Sequence, residues 1–282
     1  MKNLKSIFSI AFAFSLGILM LSCSEETETP TPSLDEADET SQEIDLTATL
    51  EDVDEVILVG FQRNGFSDRT TVTLEEDLCA SVDIQWEPTA KKMTIDFGEG
   101  CTSPRGVTRS GKIIVEYTGR YWAPGTTITT TFENFFVNER QIEGTRVVTN
   151  EGFNAEESFF TFSTSLEGGR ITWPDGTSRI TDARHQKRIY LPNGDRGLIH
   201  AVLGGSRGEN RNSNKYATEI SEPLIFLQGC IRTGVRIPSA GIMSIGIENR
   251  GRIEVDFGDE GCDREVTIRR GDQERTITLP RP

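Results

Sequence analysis

Histidines and cysteines are scarce in this 282-residue sequence, which restricts nucleophilic and transition-metal chemistry, whereas 44 Asp and Glu leave carboxylate acid–base chemistry open. There are two histidines, His185 and His200, and five cysteines, Cys23, Cys79, Cys101, Cys230 and Cys262. Gly204-Gly-Ser206-Arg-Gly208 spells a G-x-S-x-G segment, but a nucleophile elbow needs a helix directly after its strand. Glu209-Asn-Arg-Asn-Ser-Asn214 follows instead, so the segment is expected to be a flexible hairpin loop. Asp-Phe-Gly occurs at 96–98 and again at 256–258. In a kinase that aspartate holds magnesium, yet no glycine-rich phosphate loop, VAIK or HRD segment accompanies either copy. Two histidines and a set of paired cysteines leave no transition-metal cluster. Asp256, Asp259, Glu260 and Asp263 crowd one turn, and their hard oxygens make a weak calcium candidate. Trp122 and Trp173 sit beside turn signals and, with Tyr121, offer a stacking platform for a sugar. No catalytic residue and no cofactor is assigned.

Cys23 stands apart from the other four cysteines. Lys2 and Lys5 precede an apolar run from Ile7 to Leu21, which stops at Ser22-Cys23 and turns acidic at Glu25 and Glu26. A basic start and a short apolar core mark a secretory leader, too short for a spanning helix. A cut at cysteine resembles the bacterial lipoprotein signal, which implies that Cys23 is lipidated and becomes the new N-terminus. The chain then divides into a leader (1–22), a tether (23–45) and one β-rich domain (46–282). Between Ser24 and Asp45 there are nine acids, no Lys or Arg and almost nothing apolar, so the tether is expected to be disordered. The net charge of −14 therefore belongs largely to the tether. A mildly acidic body argues against nucleic acid, which demands a basic face, and leaves the lipid as the link to the membrane.

After the tether, Leu46, Leu50, Val53 and Ile57 recur at helical spacing, with Glu51, Asp52, Asp54 and Glu55 between them. This predicts one helix, capped by Asp45 or Thr47 and ended by Gly65, that packs one face on a sheet. From Thr70 onward the period is two, as in Ile113, Val115 and Tyr117, and turn signals such as Pro124-Gly125 and Pro174-Asp-Gly176 break the runs. That pattern predicts about a dozen antiparallel strands in a mainly β fold, a sandwich or a curved, partly closed barrel.

An internal echo links the two ends of the domain (79–101 and 230–262). Lys92-Met-Thr-Ile-Asp-Phe-Gly-Glu-Gly-Cys101 matches Arg252-Ile-Glu-Val-Asp-Phe-Gly-Asp-Glu-Gly-Cys262 with one inserted residue. Met93, Ile95 and Phe97 form the inward set of one copy, and Ile253, Val255 and Phe257 that of the other. A hairpin turning at 88–91 sets Cys79 opposite Cys101, and the echo pairs Cys230 with Cys262. Four paired cysteines fit an oxidising compartment.

The paired DFG-x-GC strands resemble a family of uncharacterised Bacteroidota-type cell-envelope lipoproteins. So do Thr108-Arg-Ser-Gly-Lys-Ile-Ile-Val115, Thr131-Phe-Glu-Asn-Phe135, Ile142-Glu-Gly-Thr-Arg146 and Glu222-Pro-Leu224. The segment Ser24-Glu25-Glu26 is similar to the acidic signal that sends such lipoproteins to the outer face of the outer membrane. The resemblance implies an outer-membrane location, facing the periplasm or the exterior, and carries no activity. The expected function is binding of an envelope glycan or protein, or a structural role. The alternative is a glycosidase-like hydrolase with two facing carboxylates.

Overall fold

A computed structural model describes residues 34–66, 77–191 and 197–279; the leader, Cys23 and the first part of the tether lie outside them. The period-two runs form one antiparallel sheet of 14 strands. In chain order they are β1 (Asp83–Glu87), β2 (Lys92–Asp96), β3 (Cys101–Thr102), β4 (Thr108–Tyr117), β5 (Thr127–Val137), β6 (Arg140–Asn154) and β7 (Phe159–Thr172). There follow β8 (Ser178–Tyr190), β9 (Ile199–Glu209), β10 (Lys215–Leu227), β11 (Ala240–Ile247), β12 (Gly251–Asp259), β13 (Glu265–Arg270) and β14 (Gln273–Thr278). Each pairs with its neighbour in sequence, except that β2 pairs directly with β4 and the short β3 sits beside it. The sandwich is thereby ruled out, because the strands make a single open strip.

Glycines and bulges bend that strip. Register shifts fall between Ser110 and Lys112, Glu143 and Thr145, Leu166 and Gly169, and Ala240 and Ile242. An extra residue on one strand bends it and increases its twist. Gly144 has φ +121°, and a Cβ there would lie 2.8 Å from the Cα of Gly169 on the next strand. Only glycine permits so close an approach.

The helix is longer than expected. Helix α1 runs from Leu34 to Arg63, so residues 34–45 are helical and not a disordered tether. It ends as the sequence predicts. Gly65 adopts φ +66°, its N–H donates to Gln62 O, and the Phe66 N–H reaches back to Phe61 O at 2.9 Å. This is a Schellman closure, with the Phe61 and Phe66 rings 6.3 Å apart as its apolar contact. The expectation of one packed face is also corrected, because every residue from Ala48 to Phe61 is buried. Cover on every side comes from a sheet that curves around the helix, with ion pairs reaching it from β4, β6 and β8. Segments between strands, such as those carrying Tyr121 and Arg236, complete it.

Both copies of the echo keep the expected side-chain alternation. Met93, Ile95 and Phe97 face inward, as do Ile253, Val255 and Phe257. In each, the aspartate of Asp-Phe-Gly accepts the N–H of its own glycine, Asp96 from Gly98 at 2.8 Å and Asp256 from Gly258 at 2.9 Å. Each also meets a cation on the next strand, Lys112 at 3.0 Å and Arg269 at 2.9 Å. The motif is a turn device. The pairs Cys79–Cys101 and Cys230–Cys262 are bonded as expected. Cys230 lies in a short helix, α2 (Gln228–Arg232), whose exit brings Arg236 against α1.

Candidate functional site: a charged seam between helix and sheet

Helix α1 carries little apolar asymmetry and seven buried acids, Glu39, Glu43, Asp45, Glu51, Asp52, Asp54 and Glu55. Burying a carboxylate is tolerable only where a cation or several donors replace water. The inward positions of the strands supply them. Near the helix start, Arg179 of β8 meets Glu43 at 2.5 Å and Glu39 at 3.4 Å, while its guanidinium stacks 3.7 Å over Tyr216. Arg140 of β6 holds Asp45 at 3.1 Å. Further along, Arg146 of β6 forks onto Asp54 with two bonds of 2.8 Å. Lys187 of β8 contacts Glu51 at 2.5 Å and Asp54 at 3.5 Å. Arg109 of β4 grips Asp52 through two nitrogens. Arg236 adds contacts to Asp52, Glu55 and Asp77.

These pairings set the protonation states. Burial alone would raise the Glu51 carboxyl, but the Lys187 ammonium and His200 pull it well below the usual range. Asp52 is likewise lowered, because Arg109 and Arg236 overcome its burial. Glu55 goes the other way: burial outweighs Arg236, and its pKa rises to about 6. Burial pushes His185 down to about 4, with Arg146 acting in the same direction. It lowers His200 too.

A perturbed acid beside a histidine and a lysine is a pattern worth testing as a catalytic centre. The void lined by Asp54, Glu55, Lys187 and His200, however, measures about 20 Å³. That is room for one water and no substrate. Here the shifts report a packed ionic interior.

One prediction follows from Glu55. Its folded pKa lies above the unfolded value of 4.5, so its contribution to stability is complete below pH 4.5 and is lost as pH rises through about 6. The two histidines act in the opposite sense, losing stability as pH falls below 6.5, and blur the profile of the parent protein. The difference between Glu55→Gln and the parent isolates the acid. It should move by about 2 kcal/mol in the variant's favour between pH 4.5 and about pH 7.5, read from urea midpoints.

Other sequence candidates are dispersed. Ser206 lies in the middle of β9, not in a flexible loop, and its hydroxyl donates to Glu43 at 2.8 Å. His200 shares that strand but faces Glu51 at 3.4 Å. Tyr121 and Trp122 are core residues, 4.9 Å apart, with Tyr121 packed on Phe61 and Trp122 on Phe160. Trp173 sits in the β7–β8 turn under the Arg211 guanidinium, so the three do not form one exposed platform. Of the calcium candidates, Asp256 is taken by Arg269 and Asp263 accepts the N–H of Glu265. Among the described residues no three potential ligands converge on a metal position.

The sequence carries a signal for these buried cations in the parity of the strands. Arg109 shares parity with Ile113 and Val115 beyond the bulge, Arg146 with Ile142 and Val148, and Arg179 and Lys187 with Ala183 and Ile189. Cations on the inward parity of a strand call for buried acids.

Fold and seam together define an open antiparallel meander wound around its own acidic helix. Comparison with protein-family models, curated proteins and solved structures finds no match.

Proposed function

We propose that this chain is a lipid-anchored envelope protein whose β-body binds a glycan or protein partner, or serves a structural role, without catalysing a reaction. The observation that carries the non-enzymatic reading is the occupied interior. Where a glycosidase would keep two carboxylates facing across a groove, α1 fills the space and its acids are tied to cations. Anchoring rests on the leader and on Cys23 followed by an acidic run, and two disulfides agree with an oxidising compartment. Among the described residues no helix is long and apolar enough to cross a membrane. On this reading the acyl chains hold the protein to the outer membrane, facing the periplasm or the exterior, as in the Bacteroidota-type lipoproteins that the sequence resembles.

The test is Cys23→Ala. The parent should partition into the detergent phase and show an N-terminal acyl mass, and the variant should lose both. A variant that stays membrane-bound overturns the anchor.

A further inference from the structure

A second cavity, of about 320 Å³, opens where the two ends of the sheet approach each other. Three distant segments line it: the β3–β4 turn, the end of α2 with its exit, and the residue that leads into β13. They bring Arg105, Arg232, Arg236 and Arg264 to one cleft, and none of its lining residues is acidic. In a chain of net charge −14 such a gathering runs against the overall balance.

Nearby acids lie behind this lining. Asp52, Glu55 and Asp77 engage Arg236, and Asp77 also accepts the Arg105 N–H at 3.2 Å. Asp45 is held by Arg140, with Arg264 adding to its field. Arg236 is 6% exposed, yet its buried Nε has no hydrogen-bond partner among the described residues. Asp52, Glu55 and Asp77 hold the Arg236 guanidinium in place at the back of the cleft, and leave Arg105, Arg232 and Arg264 as the other cations of its lining.

The cleft is also braced. Arg105 follows Cys101 by four residues, Arg232 follows Cys230 by two, and Arg264 follows Cys262 by two. Both disulfides therefore tie down the segments that carry the arginines, which lowers the ordering cost of binding. Both copies of the DFG-x-GC echo end here, each delivering one arginine.

Guanidinium forks match the oxygens of phosphate and sulfate in paired bonds. The volume falls at the lower end of small-ligand sites, enough for one charged group on a sugar-sized body. We propose that the cleft binds a small ligand bearing a tetrahedral oxyanion ester, a phosphorylated or sulfated monosaccharide. This deepens the binding role above and rests on it; the anchor is tested separately, so either can fail without the other.

The experiment titrates the mature chain in non-ionic detergent with glucose 6-phosphate, glucose 6-sulfate and free glucose, by calorimetry at low salt. At least one ester should bind saturably and glucose should not; which ester binds identifies the source of the oxyanion. Arg232→Ala and Arg105→Ala, both at solvent-reachable positions, should each weaken binding about tenfold or more. Arg252→Ala, in an exposed pair with Glu219, should leave binding unchanged. Raising salt to about 0.5 M should weaken binding severalfold. The proposal fails if neither ester saturates, if glucose binds equally, or if Arg252→Ala weakens binding as much as the cleft variants.

Discussion

Asp54→Ala is expected to lower the unfolding free energy by about 3–5 kcal/mol. The substitution leaves the Arg146 guanidinium, 3% exposed, without its carboxylate and weakens the surroundings of Lys187. Losing the pair as a whole is a different matter. Desolvating both ions consumes most of what their attraction returns, so Asp54→Leu combined with Arg146→Met should come within about 1 kcal/mol of the parent, or exceed it. Asp54→Leu, Arg146→Met and their combination, compared with the parent by urea unfolding, form a cycle whose coupling energy measures the pair directly. Equal losses in the single and double variants would mean that the fork contributes through packing alone. If the single substitution were nearly neutral, the helix would not be seated by its charges at all.

That result bears on why α1 lies inside the sheet. A helix with an apolar stripe is placed by the hydrophobic effect, which is indifferent to small rotations. Acids spaced along α1 and met by cations on β4, β6 and β8 fix both its rotation and its height. A slip of one turn, about 5.4 Å, would break every fork. We read the seam as a register device of the kind buried polar groups provide in coiled coils.

The same seam separates what the sequence discloses from what it hides. Strand alternation, the turns at Pro124-Gly125 and Pro174-Asp-Gly176, the echoed inward sets and both disulfides are local patterns or short-range pairings. Each is visible within a few tens of residues. The second half of α1 is visible for the same reason, through Leu46, Leu50, Val53 and Ile57. Its first half is not, because Leu34–Asp45 carries acids where an apolar stripe would be sought and so reads as solvated. Its partners lie far away: Glu43 and Arg179 are 136 residues apart, and Asn210 is 171 residues from Glu39. No window along the chain contains both members of such a pair. The tryptophans mislead for a related reason, since adjacency to a turn signals exposure while Trp122 is packed inward on Phe160 and Phe162.

Removing the Cys230–Cys262 bridge, as Cys230→Ser with Cys262→Ser, is expected to cost about 4 kcal/mol. The bridge spans a sequence separation of 32, and the loop-closure entropy of a chain of that length gives this magnitude. Cys79–Cys101, with a separation of 22, should cost about 3 kcal/mol by the same reasoning. Together the losses rival the net stability of an ordinary domain, about 5–15 kcal/mol, so the fully reduced protein should be largely unfolded at moderate urea. The two bridges differ in what they hold. Cys79–Cys101 joins the flanks of the β1–β2 hairpin, already ordered by its own ladder. Cys230–Cys262 pins α2, and with it the exit segment that carries Arg236 to Asp52, Glu55 and Asp77. Its removal should therefore be non-additive with Arg236→Ala, because each change frees the same contact, whereas the Cys79–Cys101 double serine should add to Arg236→Ala more nearly independently. Urea midpoints of the two bridge variants, each with and without Arg236→Ala, decide the matter. Additivity in both series would mean that the bridge acts only on the unfolded chain and does not position the arginine.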